Sequence, residues 1–416
     1  MLQHLLQKSR MIGMLILFVG LTASIPVQQS LAAPATQNEP VTWTVLVGGQ
    51  AGITQTEFGP MGAWQFMRFY PDNITINEGD TIVWKLASAE PHTVTFPKPG
   101  EQPPALTVPE GEGGNQRVLM NPLAVMPQGE SNYDGTVLTG SGQIGGDPQF
   151  PTEYKLTFTK TGAYDYFCAF HMMMTGKVTV QAAGSAYPKT QAQIDADAAA
   201  QLAADTQAAM QAEPTAMQAS TRPGPNGTTI HEVNIGYGDG ILDWMRFGPA
   251  DLTIKAGDTV EWVQKDVETP HTVTLVSGGK EPELILTEPQ QGGPPKLVIN
   301  PEVLAPAGGT TYSGQGYFNS GWIWGTKVPL PGPRTYSLTF DTPGTYEYIC
   351  VLHDMMGMNG HITVLAAGDD APAQLPVTGG SSNGWGMVLL VVLGLGLVAV
   401  GLLVAVFTRR SRPTIS

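Results

Sequence analysis

The chain contains one unit twice. Ile74-Thr75-Ile76-Asn77-Glu78-Gly79-Asp80-Thr81-Ile82-Val83-Trp84 matches Leu252-Thr253-Ile254-Lys255-Ala256-Gly257-Asp258-Thr259-Val260-Glu261-Trp262. Further on, Tyr154-Lys155-Leu156-Thr157-Phe158 matches Tyr336-Ser337-Leu338-Thr339-Phe340. The offsets run from 178 to 182 residues, too long a period for a solenoid. The repeat therefore marks two whole domains, each large enough to bury its own core.

Both copies read as β. Ile74-Thr75-Ile76, Thr81-Ile82-Val83-Trp84 and Thr93-Val94-Thr95-Phe96 are short, β-branched and aromatic, with Glu78-Gly79-Asp80 as a turn. Residues 164–167 and 177–180 close the unit. The expected sandwich domains span 41–182 and 228–366. Each holds a long segment rich in Pro and Gly, 97–152 and 276–334, expected as ordered loops over one side of the sandwich. The two segments share Asn121-Pro122 with Asn300-Pro301, and Tyr133 with Tyr312. Between the domains, 183–227 is dominated by Ala, Gln and Asp and reads as a flexible or partly helical linker. No glycine-rich nucleotide loop and no βαβ alternation appears.

The repeat also duplicates a set of metal ligands. Tyr166-Phe167-Cys168-Ala169-Phe170-His171-Met172-Met173-Met174 corresponds to Tyr348-Ile349-Cys350-Val351-Leu352-His353-Asp354-Met355-Met356-Gly357-Met358. Far upstream of each stands a Pro-His-Thr-Val-Thr segment, at His92 and His271. The chain has two cysteines, and they occupy equivalent places. A disulfide between them would join two domains, whereas each already sits in a Cys-x2-His frame. One thiolate, two imidazoles and a weak thioether are the ligand set of blue-copper electron-transfer sites. The candidate ligands are His92, Cys168, His171 and Met174 in the first copy, and His271, Cys350, His353 and Met358 in the second. Met356 competes with Met358, because its spacing from His353 equals that of Met174 from His171. His231 and His361 read as ordinary strand or surface residues.

On these residues each repeat resembles a cupredoxin of the plastocyanin and amicyanin group. The first loop has amicyanin's spacing and the second has plastocyanin's. The resemblance implies an all-β fold of two Greek-key sandwiches in tandem. It implies two coppers per chain, one in each domain, and outer-sphere electron transfer with redox proteins such as cytochromes or membrane electron-transfer complexes. It also implies that electrons cross near exposed edges of His171 and His353, under an apolar patch that Phe170, Met172, Leu352 and Met355 could form. The residue after the first histidine is often Asn in such proteins; here Thr93 and Thr272 stand there, and a Thr can still make a polar contact near the thiolate. An oxidase or nitrite reductase needs a further copper site with more histidines. Of the seven here, only His231 and His361 are left beyond the candidate ligands and His4, so no enzyme and no small-molecule substrate is expected. Storage or delivery of Cu(I) stays open as an alternative, since both loops are rich in methionine.

The ends place the domains. Residues 1–32 read as an export signal, with Lys8 and Arg10 before a short apolar run and Ser30-Leu31-Ala32 at the cleavage positions. Residues 385–407 are apolar and uncharged, long enough for a transmembrane helix, and a basic tail at 408–416 puts that end in the cytoplasm. The portion between carries 16 basic residues against 35 acidic ones, which argues against nucleic acid. The second linker, 367–384, contains Leu375-Pro376-Val377-Thr378-Gly379, which resembles a sortase signal. A permanent membrane anchor and a cell-wall linkage through Thr378 both keep the domains outside the membrane.

Overall fold

In the computed structural model the two Gly-Asp turns set the frame of each domain. Gly79 and Gly257 both adopt φ +96°, a region open to glycine at little cost. The aspartates that follow turn back on their own domains. Asp80 accepts from Val41 N–H at 2.7 Å, Asn77 N–H at 2.9 Å and the Trp43 indole at 2.9 Å. Asp258 accepts from Thr229 N–H at 2.8 Å and Lys255 N–H at 3.0 Å. Each carboxylate ties the first strand of its domain to the turn.

The structure describes residues 39–56, 59–112, 116–366 and 368–369. The expected export signal, the 375–379 segment, the 385–407 span and the tail lie outside the described residues. Among the described residues no helix is long and apolar enough to cross a membrane.

Each domain has two facing sheets. In the first domain, Thr42–Thr56, Gly59–Tyr70, Thr81–Leu86, Glu153–Phe158 and Asn132–Tyr133 share one sheet. Asn73–Asn77, Thr175–Gln181, Gly162–Phe167, Thr95–Phe96 and Thr139–Gly140 form the other. Trp43, Val45 and Val47 are buried at alternate positions, as a half-buried strand requires. The second domain repeats the plan, with Asp251–Lys255, Asn359–Leu365, Gly344–Ile349, Thr274–Leu275 and Phe318–Asn319 as its ligand-bearing sheet. Trp84 and Tyr166 in one core, and Trp262 and Tyr348 in the other, are fully buried.

Strands and a helix join the domains. Gly59–Tyr70 pairs antiparallel with Leu242–Gly248, Phe66 opposite Leu242 and Trp64 opposite Trp244, so one sheet runs through both domains. The long segments supply the second contact. Thr107–Glu110 and Arg117–Met120 join Ile285–Glu288 and Lys296–Ile299 in a four-stranded sheet, with Leu119 opposite Val298. Arg117 reaches Glu288 at 2.6 Å and also pairs with Glu110, which in turn holds Lys296. The shared Asn-Pro pairs start one-turn helices at Pro122–Val125 and Pro301–Leu304. Asn121 and Asn300 cap them, and Pro fits the first helical position.

The third contact changes the fold class from all-β to mostly β. The segment between the sandwiches carries a 26-residue helix, Gln191–Ala216, started by a capping box of Thr190 and Gln193. Its buried side chains are Ile194, Ala198, Ala209 and Ala216. Three of the four are alanines, which let the helix approach the sheet closely. Leu202 packs with Phe66, Tyr70 and Trp244 from both domains. Asp205 accepts from the Tyr70 hydroxyl at 2.5 Å and holds Arg68 at 3.2 Å.

Candidate metal centres

The strand Gly162–Phe167 delivers Cys168 to the end of its sheet, and Thr175–Gln181 takes the chain back. The loop between is closed by its own backbone. Cys168 N–H donates to Met174 O at 3.0 Å, and Met174 N–H donates to His171 O at 3.0 Å. His92 is fixed from the facing segment by paired backbone bonds with Ile144, both at 2.9 Å. Cys168 Sγ then lies 3.7 Å from His92 Nδ1 and 3.5 Å from His171 Nδ1.

The second domain reproduces this. Cys350 Sγ lies 3.8 Å from His271 Nδ1 and 3.4 Å from His353 Nδ1, and the two Nδ1 atoms stand 3.1 Å apart. Cys350 N–H donates to Met358 O at 3.0 Å, and Met358 N–H donates to His353 O at 3.1 Å. Met358 thus occupies the backbone position of Met174. It shares a buried cluster with Cys350, whereas Met356 packs into the core of the first domain. Among the described residues these are the two groups of His, Cys, Asp or Glu gathered closely enough to hold a metal.

The environment suits a metal and penalises its absence. Burial pushes the Cys168 thiol up to about 11 and the Cys350 thiol to about 12, and holds His171 and His271 down to about 3. His92 and His353 are lowered too, by burial and then by the neighbouring imidazole. A thiol and two imidazoles that resist charge, with their donor atoms converging, are compensated by one bound cation. Each thiolate also has a donor ready. Thr93 N–H reaches Cys168 Sγ, and Thr272 N–H reaches Cys350 Sγ, both at 3.4 Å. The threonine side chains pin the cysteine loops: Thr93 Oγ1 accepts from Ala169 N–H at 2.7 Å and Thr272 Oγ1 from Val351 N–H at 2.9 Å.

His231 and His361 stand apart from both groups. His231 lies 3.1 Å from Asp258, and the exposed His361 lies 2.9 Å from Asp251.

The expected exposed edges of the loop histidines are absent. His171 is 4 % exposed and His353 5 %, because the ligand-bearing end of each domain is covered by the other. Glu90 of the first domain sits between them, 3.9 Å from His171 Nε2 and 3.7 Å from His353 Nε2. Glu268 of the second domain accepts from Met173 N–H at 3.0 Å. Burial, then the charge of Asp266, raises Glu90 to about 8. Sequence reasoning missed Glu90 and Glu268. The one available signal was a mismatch between the repeats, Ala89-Glu90-Pro91-His92 against Glu268-Thr269-Pro270-His271.

The chain is similar to known proteins. Plastocyanin of Scenedesmus fuscus is 32% identical over 132 residues, 32% of this chain and 96% of that protein. Amicyanin of Paracoccus versutus is 26% identical over 115 residues, 28% of this chain and 59% of that protein. Chloroplastic plastocyanin of Physcomitrium patens is 30% identical over 135 residues, 32% of this chain and 56% of that protein. The profile described as copper binding proteins of the plastocyanin/azurin family matches twice, over residues 61–181 and 232–365. Each match contains one complete cysteine loop and one upstream histidine, so each domain has one type 1 copper site of the His-Cys-His-Met kind. The chain belongs to the plastocyanin/azurin family of copper binding proteins.

Proposed function

We propose that the chain is an exported, surface-tethered electron-transfer protein whose two mononuclear copper sites cycle between Cu(I) and Cu(II). His92, Cys168, His171 and Met174 would hold one copper. His271, Cys350, His353 and Met358 would hold the other. Bound copper supplies a one-electron couple; the protein supplies a fixed, dry ligand frame. The observation that carries the reading is the same buried triad built twice on sheet ends, with Thr93 and Thr272 locking the cysteine loops. Such a frame changes little when the charge on the metal changes, and a small rearrangement favours outer-sphere transfer over ligand exchange.

Cu(I) storage or delivery has less support. The methionines of the first loop are split: Met172 and Met173 are 73 % and 47 % exposed, whereas Met174 is buried. Met172 is also the solvent-facing residue next to buried His171, so redox partners such as cytochromes would approach there. Met172→Lys should slow exchange with a partner and leave the copper spectrum nearly unchanged.

Absorption and EPR spectra of the copper-loaded chain test the main reading. Two blue centres that bleach reversibly are expected. Cys168→Ala should remove one and leave the other; retention of both would sink the assignment. The tether rests on the sequence of the two ends. Mass spectrometry of the mature protein separates its forms: a chain ending at Thr378 with a wall fragment excludes the permanent anchor, and a chain ending at Ser416 excludes sorting.

A further inference from the structure

The ligand sets use the Nδ1 atoms of the loop histidines. Their Nε2 atoms point the other way, toward the domain interface, and there they meet the same side chain. Glu90 Oε2 lies 3.9 Å from His171 Nε2, and Glu90 Oε1 lies 3.7 Å from His353 Nε2. Each carboxyl oxygen faces the ring of a different site. Glu90 is 4 % exposed, and its Oε1 has no hydrogen-bond partner among the described residues. A carboxyl group buried this way is costly to the fold, so mere packing does not account for it.

Glu90 is also joined to the first site through the chain. It stands two residues before the ligand His92, and Ser88 connects the two, with its Oγ 2.8 Å from His92 Nε2 and 3.5 Å from Glu90 O. The second domain has no carboxyl group at the equivalent position. Its matching residue is Thr269, whose hydroxyl donates to Asp243 at 2.7 Å. One acidic side chain from one domain therefore serves both sites.

We propose that Glu90 bridges the two copper centres and that electrons pass between them through His171, Glu90 and His353. The two domains then act as each other's redox partner. The inference rests on the two-site electron-transfer reading above. In each event one electron leaves the reduced centre of one domain, which is oxidised, and reaches the oxidised centre of the other, which is reduced. No bond forms or breaks, and no co-reactant is needed.

The test uses the full chain loaded with copper in both domains. With both centres as Cu(II), the EPR spectrum should show dipolar broadening that the single-centre variant Cys168→Ala lacks. After a radiolytic pulse reduces one centre, exchange between the two should proceed at a rate independent of protein concentration. Glu90→Leu should slow that exchange by roughly tenfold or more, with both blue bands and the dipolar broadening kept. Glu90→Gln, which keeps two polar atoms in the same place, should stay close to the original rate. Glu90→Ala is read in the same way if the leucine variant does not fold. An unchanged rate in a folded variant that lacks the carboxyl group overturns the route. Exchange that scales with concentration in the original chain, or no dipolar broadening, overturns the pairing itself. A chain with no blue band at all overturns the copper assignment instead, and the first spectrum reveals it.

Discussion

The first domain gives both of its ligand histidines a polar neighbour, whereas the second leaves one without. His92 Nε2 lies 2.8 Å from Ser88 Oγ. Val267 stands in the matching place, and His271 Nε2 is buried with no hydrogen-bond partner among the described residues. The backbone over both rings is nevertheless the same. Gly48 and Gly236 have φ +69° and +60°, and a Cβ on either would stand 2.6 Å from the Nε2 of His92 or His271. The cysteine loops differ as well. The second is longer and carries a short helical turn, Asp354–Met356, that sends Met356 into the core of the other domain. Duplication has kept the atoms that hold metal and altered those that meet the neighbouring domain.

The largest expected effect separates the two methionines of the longer loop. Met356→Ala should cost roughly 2–5 kcal/mol, the usual range for truncating a core methionine, and leave the second blue band in place. Met358→Ala should alter that band. Denaturant midpoints and absorption spectra of the two variants decide it. A shifted band in Met356→Ala would make Met356 the thioether ligand and remove the equivalence of Met358 with Met174.

Next in size is a pH effect of the second domain's carboxyl group at the interface, Glu268. Burial raises Glu268 to about 7, so its carboxyl group stays protonated in the folded chain where the unfolded chain has lost the proton. Stability from this group is complete below the ordinary carboxylate range and is lost as pH rises through about 7. Glu268→Gln keeps an acceptor for Met173 N–H and has no proton to lose. It should flatten the fall in thermal midpoint between mildly acid and neutral pH, a difference of roughly 1–2 kcal/mol. A slope equal to that of the original chain would show that the carboxyl group is solvated.

The contrast between domains also marks how far the sequence could be read. The ligands were legible because a single loop carries three of them, the cysteine and histidine always in a Cys-x2-His frame, and the upstream histidine sits in a repeated pentapeptide. The strands were legible from β-branched and aromatic runs around the Gly-Asp turns. The helix at 191–216 was harder, since its buried face is mostly alanine and gives little apolar contrast with the Gln and Asp around it. The interface was not legible. Glu90 and Glu268 are departures from the repeat, and a comparison of the two copies draws attention to what they share. The expectation of exposed edges for His171 and His353 took each domain by itself, without the other copy that covers it.

The smallest effect tests the difference at the first histidine. With Nδ1 on the metal, His92 Nε2 carries the proton and donates it to Ser88 Oγ. That bond makes the imidazole a stronger donor, which favours Cu(II) over Cu(I) and lowers the reduction potential. His271 lacks this contact. Ser88→Ala should therefore raise the potential of the first site, and Val267→Ser should lower that of the second. A net hydrogen bond contributes about 0.5–1.5 kcal/mol, which for one electron corresponds to a shift on the order of tens of mV. Spectroelectrochemical titration resolves such shifts when the other centre has been silenced by Cys350→Ala or Cys168→Ala. If the two substitutions move their potentials in the same direction, or not at all, the serine is only a packing residue, and the difference between the sites must then come from their loops.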